Sequence, residues 1–98
     1  MLIVTGSFVA KEGFIAEALR MATEHVHRSR LEPGCISHAV HQDAEHPSRL
    51  FFFEQWADTA ALLAHFALPA SRAFAKAVAG MAVDAPSLSV FETEPVKL

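Results

Sequence analysis

The sequence predicts an α+β fold: a ferredoxin-like β-α-β-β-α-β sandwich with its helices on one face of a four-stranded antiparallel sheet. Three observations lead there. Four stretches are rich in β-branched and apolar residues and are bounded by turn signals, as strands are. Between the first two, apolar residues recur every three or four positions, the period of an amphipathic helix. Between the last two lies a second helical stretch, broken by a proline. Strands and helices in that order form the split βαβ arrangement.

Residues 2–10, LIVTGSFVA, form the first strand and stop at the turn signal Lys11-Glu12-Gly13. Gly6 weakens a strand interior, so it marks either a bulge or a close approach of another group to the backbone. From Phe14 to about Leu31, Phe14, Ile15, Ala18, Leu19, Ala22 and Val26 make the apolar face of a helix. Glu17, Arg20, Glu24, His27 and Arg28 lie largely opposite, and His25 is expected among the solvated residues with His27. Pro33-Gly34 ends this helix. Cys35 to Gln42 is the second strand, with Ile36, His38 and Val40 on one side and Ser37, Ala39 and His41 on the other. Asp43 to Ser48 has the length and polarity of a hairpin connection.

The third strand, Leu50 to Trp56, is apolar on both sides. Leu50, Phe52, Glu54 and Trp56 share one face, and Phe51, Phe53 and Gln55 share the other. Asp58 is placed to cap a helix over Thr59 to Phe66, and Pro69 suits the first turn of another helix that runs to about Ala79, with Gly80 as its stop. Pro86 opens a last strand, Ser87 to Thr93, and Pro95 closes it; prolines at both ends favour a sheet edge. With helices on one face only, the second apolar face of the third strand needs a cover. A copy of the chain meeting it across a twofold axis is the simplest one, so a homodimer is expected.

The chain of 98 residues is long enough for a single domain, 1–98, and no second. Its apolar fraction of 52% is high, yet no run approaches the ~20 residues that span a bilayer. Met1 to Val4 lacks the pattern of a signal peptide, so no membrane association and a cytoplasmic location are expected. With a net charge of −3 and basic residues on the first helix interspersed with glutamates, nucleic acid is not an expected partner. Cys35, the only cysteine, excludes an internal disulfide and any thiolate zinc site, and reads as a small buried apolar residue. His38 and His41 fall on opposite strand faces, and adding His46 and Asp43 gives no known ligand spacing, so no metal site is expected.

The chain resembles the antibiotic biosynthesis monooxygenase family, of the dimeric α+β barrel superfamily, and its small quinol monooxygenases in particular. The resemblance rests on Glu32-Pro33-Gly34-Cys35 before strand two, Glu54-Gln55-Trp56 ending strand three, Ala64-His65-Phe66, and Pro69 to Phe74 with the following Ala75 to Val78. It implies a homodimer that oxidises a phenolic or quinol-type aromatic with O2 and uses no cofactor. The substrate must then supply the electrons, held as an electron-rich anion beside O2 in a dry pocket. By this resemblance His65 and His38 are the candidate catalytic groups, and Trp56, Phe52, Phe66, Phe74 and Glu54 the candidate substrate-binding ones. Glu54 has a structural reading, as partner of an Arg such as Arg49 or Arg72 or of backbone donors across the dimer, and a functional one, as a carboxylate of raised pKa acting as base. Relatives often carry a Tyr where His38 stands, and a His or aromatic pair where this chain has Ala70, Ser71 and Phe74. The heme-degrading branch uses an Asn on the first strand and a Trp and a His on the helices; the best-aligned positions here are Gly6, His65 and Ala75, so heme is not expected. The alternative function is a non-catalytic dimeric barrel that binds an aromatic or apolar metabolite.

Overall fold

In the computed structural model, which describes residues 1–98, the alternating stretches form β1 (Leu2–Val9), β2 (Cys35–Gln42), β3 (Arg49–Trp56) and β4 (Ser87–Glu92). The helical stretches form α1 (Ile15–Ser29), α2 (Thr59–Ala67) and α3 (Pro69–Met81). The sheet has the order β2-β3-β1-β4 with every neighbouring pair antiparallel. This is the ferredoxin-like α+β arrangement that the element order predicts.

Local chemistry fixes the element ends. The Asp58 carboxylate accepts the Ala61 N–H at 2.8 Å, which starts α2, and Pro69 occupies the first turn of α3. Gly13 and Gly34 have φ of 84° and 82°, a left-handed conformation open to glycine, and they turn the chain into α1 and out of it. Gly6 is not a bulge. It pairs in register with Phe52 and Leu88, and a Cβ there would lie 3.2 Å from the Ser87 carbonyl oxygen, so it marks the close approach of β4.

Strand alternation decides what is buried. Leu2, Val4, Phe8, Leu50, Phe52, Glu54 and Trp56 all turn under the helices and are buried. Phe8, Leu50 and Phe52 pack with Ala18, Ala22, Val26, Val78 and Met81 in the larger core, and Leu2, Val4, Trp56 and Leu62 form the smaller one. The opposite face, with Ile3, Val9, Phe51 and Phe53, is half-buried and carries no helix. The helix layer also stops short of β4, whose Leu88 and Val90 share the face of Gly6 and Val4 but remain 57% and 47% exposed. A groove is therefore left open between α3 and the β1–β4 edge. No helix is long and apolar enough to cross a membrane.

Three expectations need correction. Ile36 does not join His38 and Val40 under the helices: a register shift between Cys35 and Ser37 inserts it as an extra residue, which turns it outward to 55% exposure. Gly80 does not end α3; the helix continues to Met81, whose side chain is buried in the larger core. His25 is not solvated. It follows Ala18 by seven positions and Ala22 by three, on the face that packs inward, and it is buried with Ser29 four positions later.

Candidate functional site

The helix-facing side of the sheet carries one polar island in its apolar surface, supplied by five elements. His25 comes from α1, His38 from β2, Glu54 and Trp56 from β3, His65 from α2, and Ser71 and Phe74 from α3. His25, His38, Glu54 and His65 are all buried, and Trp56 has no exposed surface. The His25 ring stacks on Phe74 with centroids 4.2 Å apart, and its centroid lies 5.4 Å from that of His38 and 5.2 Å from that of His65. Trp56 packs against His65 at 4.7 Å and presents an edge to His38 at 6.2 Å.

Hydrogen bonds order the island unevenly. His65 Nδ1 meets the Glu32 carboxylate at 2.9 and 3.1 Å, with Ser71 Oγ at 3.5 Å. An Nδ1–H donated to Glu32 leaves Nε2 of His65 as the nitrogen with a free lone pair. The indole N–H of Trp56 donates to Glu54 Oε1 at 2.9 Å. His38 Nε2 lies 3.1 Å from the same oxygen, within ion-pair distance, but neither His38 ring nitrogen has a partner of hydrogen-bond geometry. Buried polar atoms without partners are rare enough to require an explanation.

The charges follow from this packing. Burial, then the positive potential of His38, His65 and Arg28, pushes His25 down to about 3, against the weaker opposing pull of Glu54. Glu54 is subject to burial, which favours its neutral form, but contact with His38 and the Trp56 N–H outweighs that and lowers its pKa. The reading of Glu54 as a raised-pKa base is thus corrected. Its ion-pair reading is corrected as well: Arg49 pairs with Asp43 at 3.2 Å, and the partners of Glu54 are His38 and Trp56. Burial raises the pKa of the half-buried Cys35 thiol, with Glu32 and Glu54 adding to the effect, so it is a poor nucleophile.

Beside the island lies a cavity of about 380 Å³, the size of a small aromatic ligand. Of the residues singled out from the sequence, His65, Phe52, Phe66, Phe74 and Glu54 line it. His38 and Trp56 sit deeper, behind that wall, where Trp56 is also an anchor of the smaller core. His25 also lines the cavity and was missed in the sequence, although its helical spacing from Ala18 and Ala22 was a sufficient signal. Glu32 was noted only as part of a motif. Its bond to His65 spans 33 positions, and no local pattern encodes that. Arg72 and Leu88 complete the open side of the cavity.

Comparison with known proteins agrees with this architecture. Residues 1–77 match the model of the antibiotic biosynthesis monooxygenase family. A candidate antibiotic biosynthesis monooxygenase from Deinococcus radiodurans superposes with a TM-score of 0.93 at 23% identity, covering 100% of this chain and 98% of that one. A crystal structure of an antibiotic biosynthesis monooxygenase gives 0.89 at 25% identity over 97% of this chain and 100% of its own. An uncharacterized protein of Synechocystis sp. is 34% identical over 68 residues, 69% of this chain; the match spans less than half, 46%, of that protein's length.

Proposed function

This chain belongs to the antibiotic biosynthesis monooxygenase family, and on that premise we propose that it oxidises a phenolic or quinol-type aromatic with O2, without a cofactor, in the cavity beside His65. The observation that carries this reading is the pairing of His65, which lines an apolar cavity, with the Glu32 carboxylate. A carboxylate on Nδ1 fixes the ring and makes Nε2 the more basic nitrogen, so a phenolic O–H directed at it can give up its proton. The resulting phenolate is electron-rich enough to reduce O2. For a quinol the sum is quinol plus O2 giving a hydroxyquinone and water, with one oxygen atom in each product and all the electrons drawn from the substrate.

Phe52, Phe66 and Phe74 supply flat contact surface and keep water from the ring. Arg72 on the cavity's open side is placed to attract the anion. His38 lacks contact with the cavity, so in this reading it acts through Glu54 and His65 and does not touch substrate. The partner in this reading is a second copy of the chain, docked on the uncovered sheet face.

Oxygen uptake by chelator-treated protein on a panel of hydroquinones and anthrols tests the proposal. Turnover should fall about 100-fold or more in His65→Ala, the usual scale for losing a general base, and less in Glu32→Gln. Unchanged uptake in His65→Ala would remove the base assignment. The second reading, binding of an aromatic or apolar metabolite without turnover, is favoured by the absence of any tyrosine to hydrogen-bond a phenolic substrate. It predicts saturable binding of the same panel with no oxygen consumed.

A further inference from the structure

We propose that His25, His38 and His65 form a binding site for one divalent first-row transition-metal ion of the zinc class. Each ring offers one nitrogen, and the three atoms lie within 4.8 Å of one another. The ring centroids are 5.2, 5.4 and 5.6 Å apart. A tetrahedral ion with Zn–N bonds of about 2.0–2.1 Å holds imidazole centroids about 5 Å apart, so the rings already stand at the separation of a ligand set and need only pivot in place. They come from α1, β2 and α2, elements packed into one core, and no surface fluctuation brings them together by accident.

A second, independent observation comes from His38. Its side chain has no exposed surface; Nε2 stands 3.1 Å from Glu54 Oε1, outside hydrogen-bond geometry, and Nδ1 has no partner. An imidazole left in that state is costly, and ligation of a metal supplies the missing partner. The surroundings also fit. Glu32 holds Nδ1 of His65 and frees Nε2, and Glu54 stands 3.1 Å from His38, in the manner of the carboxylates that back metal-ligating histidines. Three imidazoles without thiolate suit zinc, copper, nickel or iron over magnesium or calcium. Three protein ligands leave a fourth position, and since His25 and His65 line the cavity, that position opens onto it and takes water or an anionic oxygen.

A bound ion takes the lone pair that His65 needs as a base, so the metal-free and metal-bound forms are two states of one site, and each can be tested without the other.

The test is titration of chelator-treated protein with Zn2+ by calorimetry and with Co2+ by visible absorption. The expected result is one ion per chain and the intense visible bands of four-coordinate cobalt. His25→Gln and His38→Gln should weaken binding by more than 100-fold, and Glu32→Gln by about 10-fold, the range for losing a carboxylate behind a ligand. Exposed His27→Gln and His41→Gln should leave it unchanged. Circular dichroism of each metal-free variant checks the fold, and Glu32→Gln carries the test if His38→Gln fails to fold. Absence of saturable binding with either ion would overturn the proposal, as would binding that survives His25→Gln or six-coordinate cobalt of weak colour. Oxygen uptake by the chelator-treated protein in the same experiments would leave the functional reading standing whichever way the metal result falls.

Discussion

At the scale of single residues, the island of buried histidines ties folding to pH. His25 in the unfolded chain takes a proton near its ordinary value of 6.5, whereas in the folded protein burial and the facing groups push it down to about 3. The groups that lower it are His38 on β2, His65 on α2 and Arg28 on its own helix, while Glu54 on β3 pulls weakly the other way. Between these two values the unfolded state binds the extra proton, so stability rises with pH across the window. The contribution is complete above about 6.5 and is lost as the pH falls toward 3. Unpaired carboxylates scarcely titrate above about pH 5, which leaves the upper part of the window to histidine. The urea midpoint of the metal-free protein should therefore fall as the pH is lowered from 6.5 to 5, and His25→Phe, which keeps the stack on Phe74, should flatten the slope. A midpoint independent of pH in the unsubstituted protein would contradict the assignment.

At the scale of elements, the turn between α1 and β2 sets the island's geometry, because Glu32 and His38 flank it on either side. Gly34 carries that turn at φ 82°, and a Cβ added there would stand 2.5 Å from the Ala61 Cβ on α2. Two penalties coincide: a left-handed backbone and a clash that pushes α2 outward together with His65. Gly34→Ala should cost roughly 1–3 kcal/mol, the scale of one such strained position, and should weaken the His65 to Glu32 contact. Urea unfolding measures the first, and a changed chemical shift of the His65 ring by NMR the second. A loss within error of zero would mean that the turn relaxes without moving α2.

The same elements separate what the sequence encodes locally from what it does not. The alternation of Leu50, Phe52, Glu54 and Trp56 against Phe51, Phe53 and Gln55 has a period of two and was legible without coordinates. So were the Asp58 cap and the Pro69 break, each a one-residue signal with a fixed geometric meaning. The bulge at Ile36 was not, since no residue in Cys35 to Gln42 marks an extra position. His25 was legible in spacing but misjudged by polarity, because a histidine on an inward face is read as solvated until His38 and His65 are seen opposite it. The pairings of Glu32 with His65 and of Glu54 with His38 depend on sheet order and helix docking. A chain read in order does not contain them.

At the scale of the whole molecule, the uncovered sheet face is where the proposed second copy would dock. Ile3, Phe51 and Phe53 lie on a face with no helix, and the exposed Phe91 of β4 pairs with Ile3 there. A patch of this kind is uncommon on an isolated small domain. A chain of this length also buries a modest fraction of its surface, so an isologous contact between two such faces would add the apolar area that a single copy lacks. Contact through this face leaves the cavity on the opposite side of the sheet. Sedimentation at micromolar concentration should then give about twice the chain mass of 10.7 kDa. Phe53→Asp should shift it to a monomer, because a charge at the centre of an apolar contact loses its water without gaining a partner. The monomer should also melt earlier. A species of 10.7 kDa in the unsubstituted protein, or a dimer indifferent to Phe53→Asp, would place the contact elsewhere.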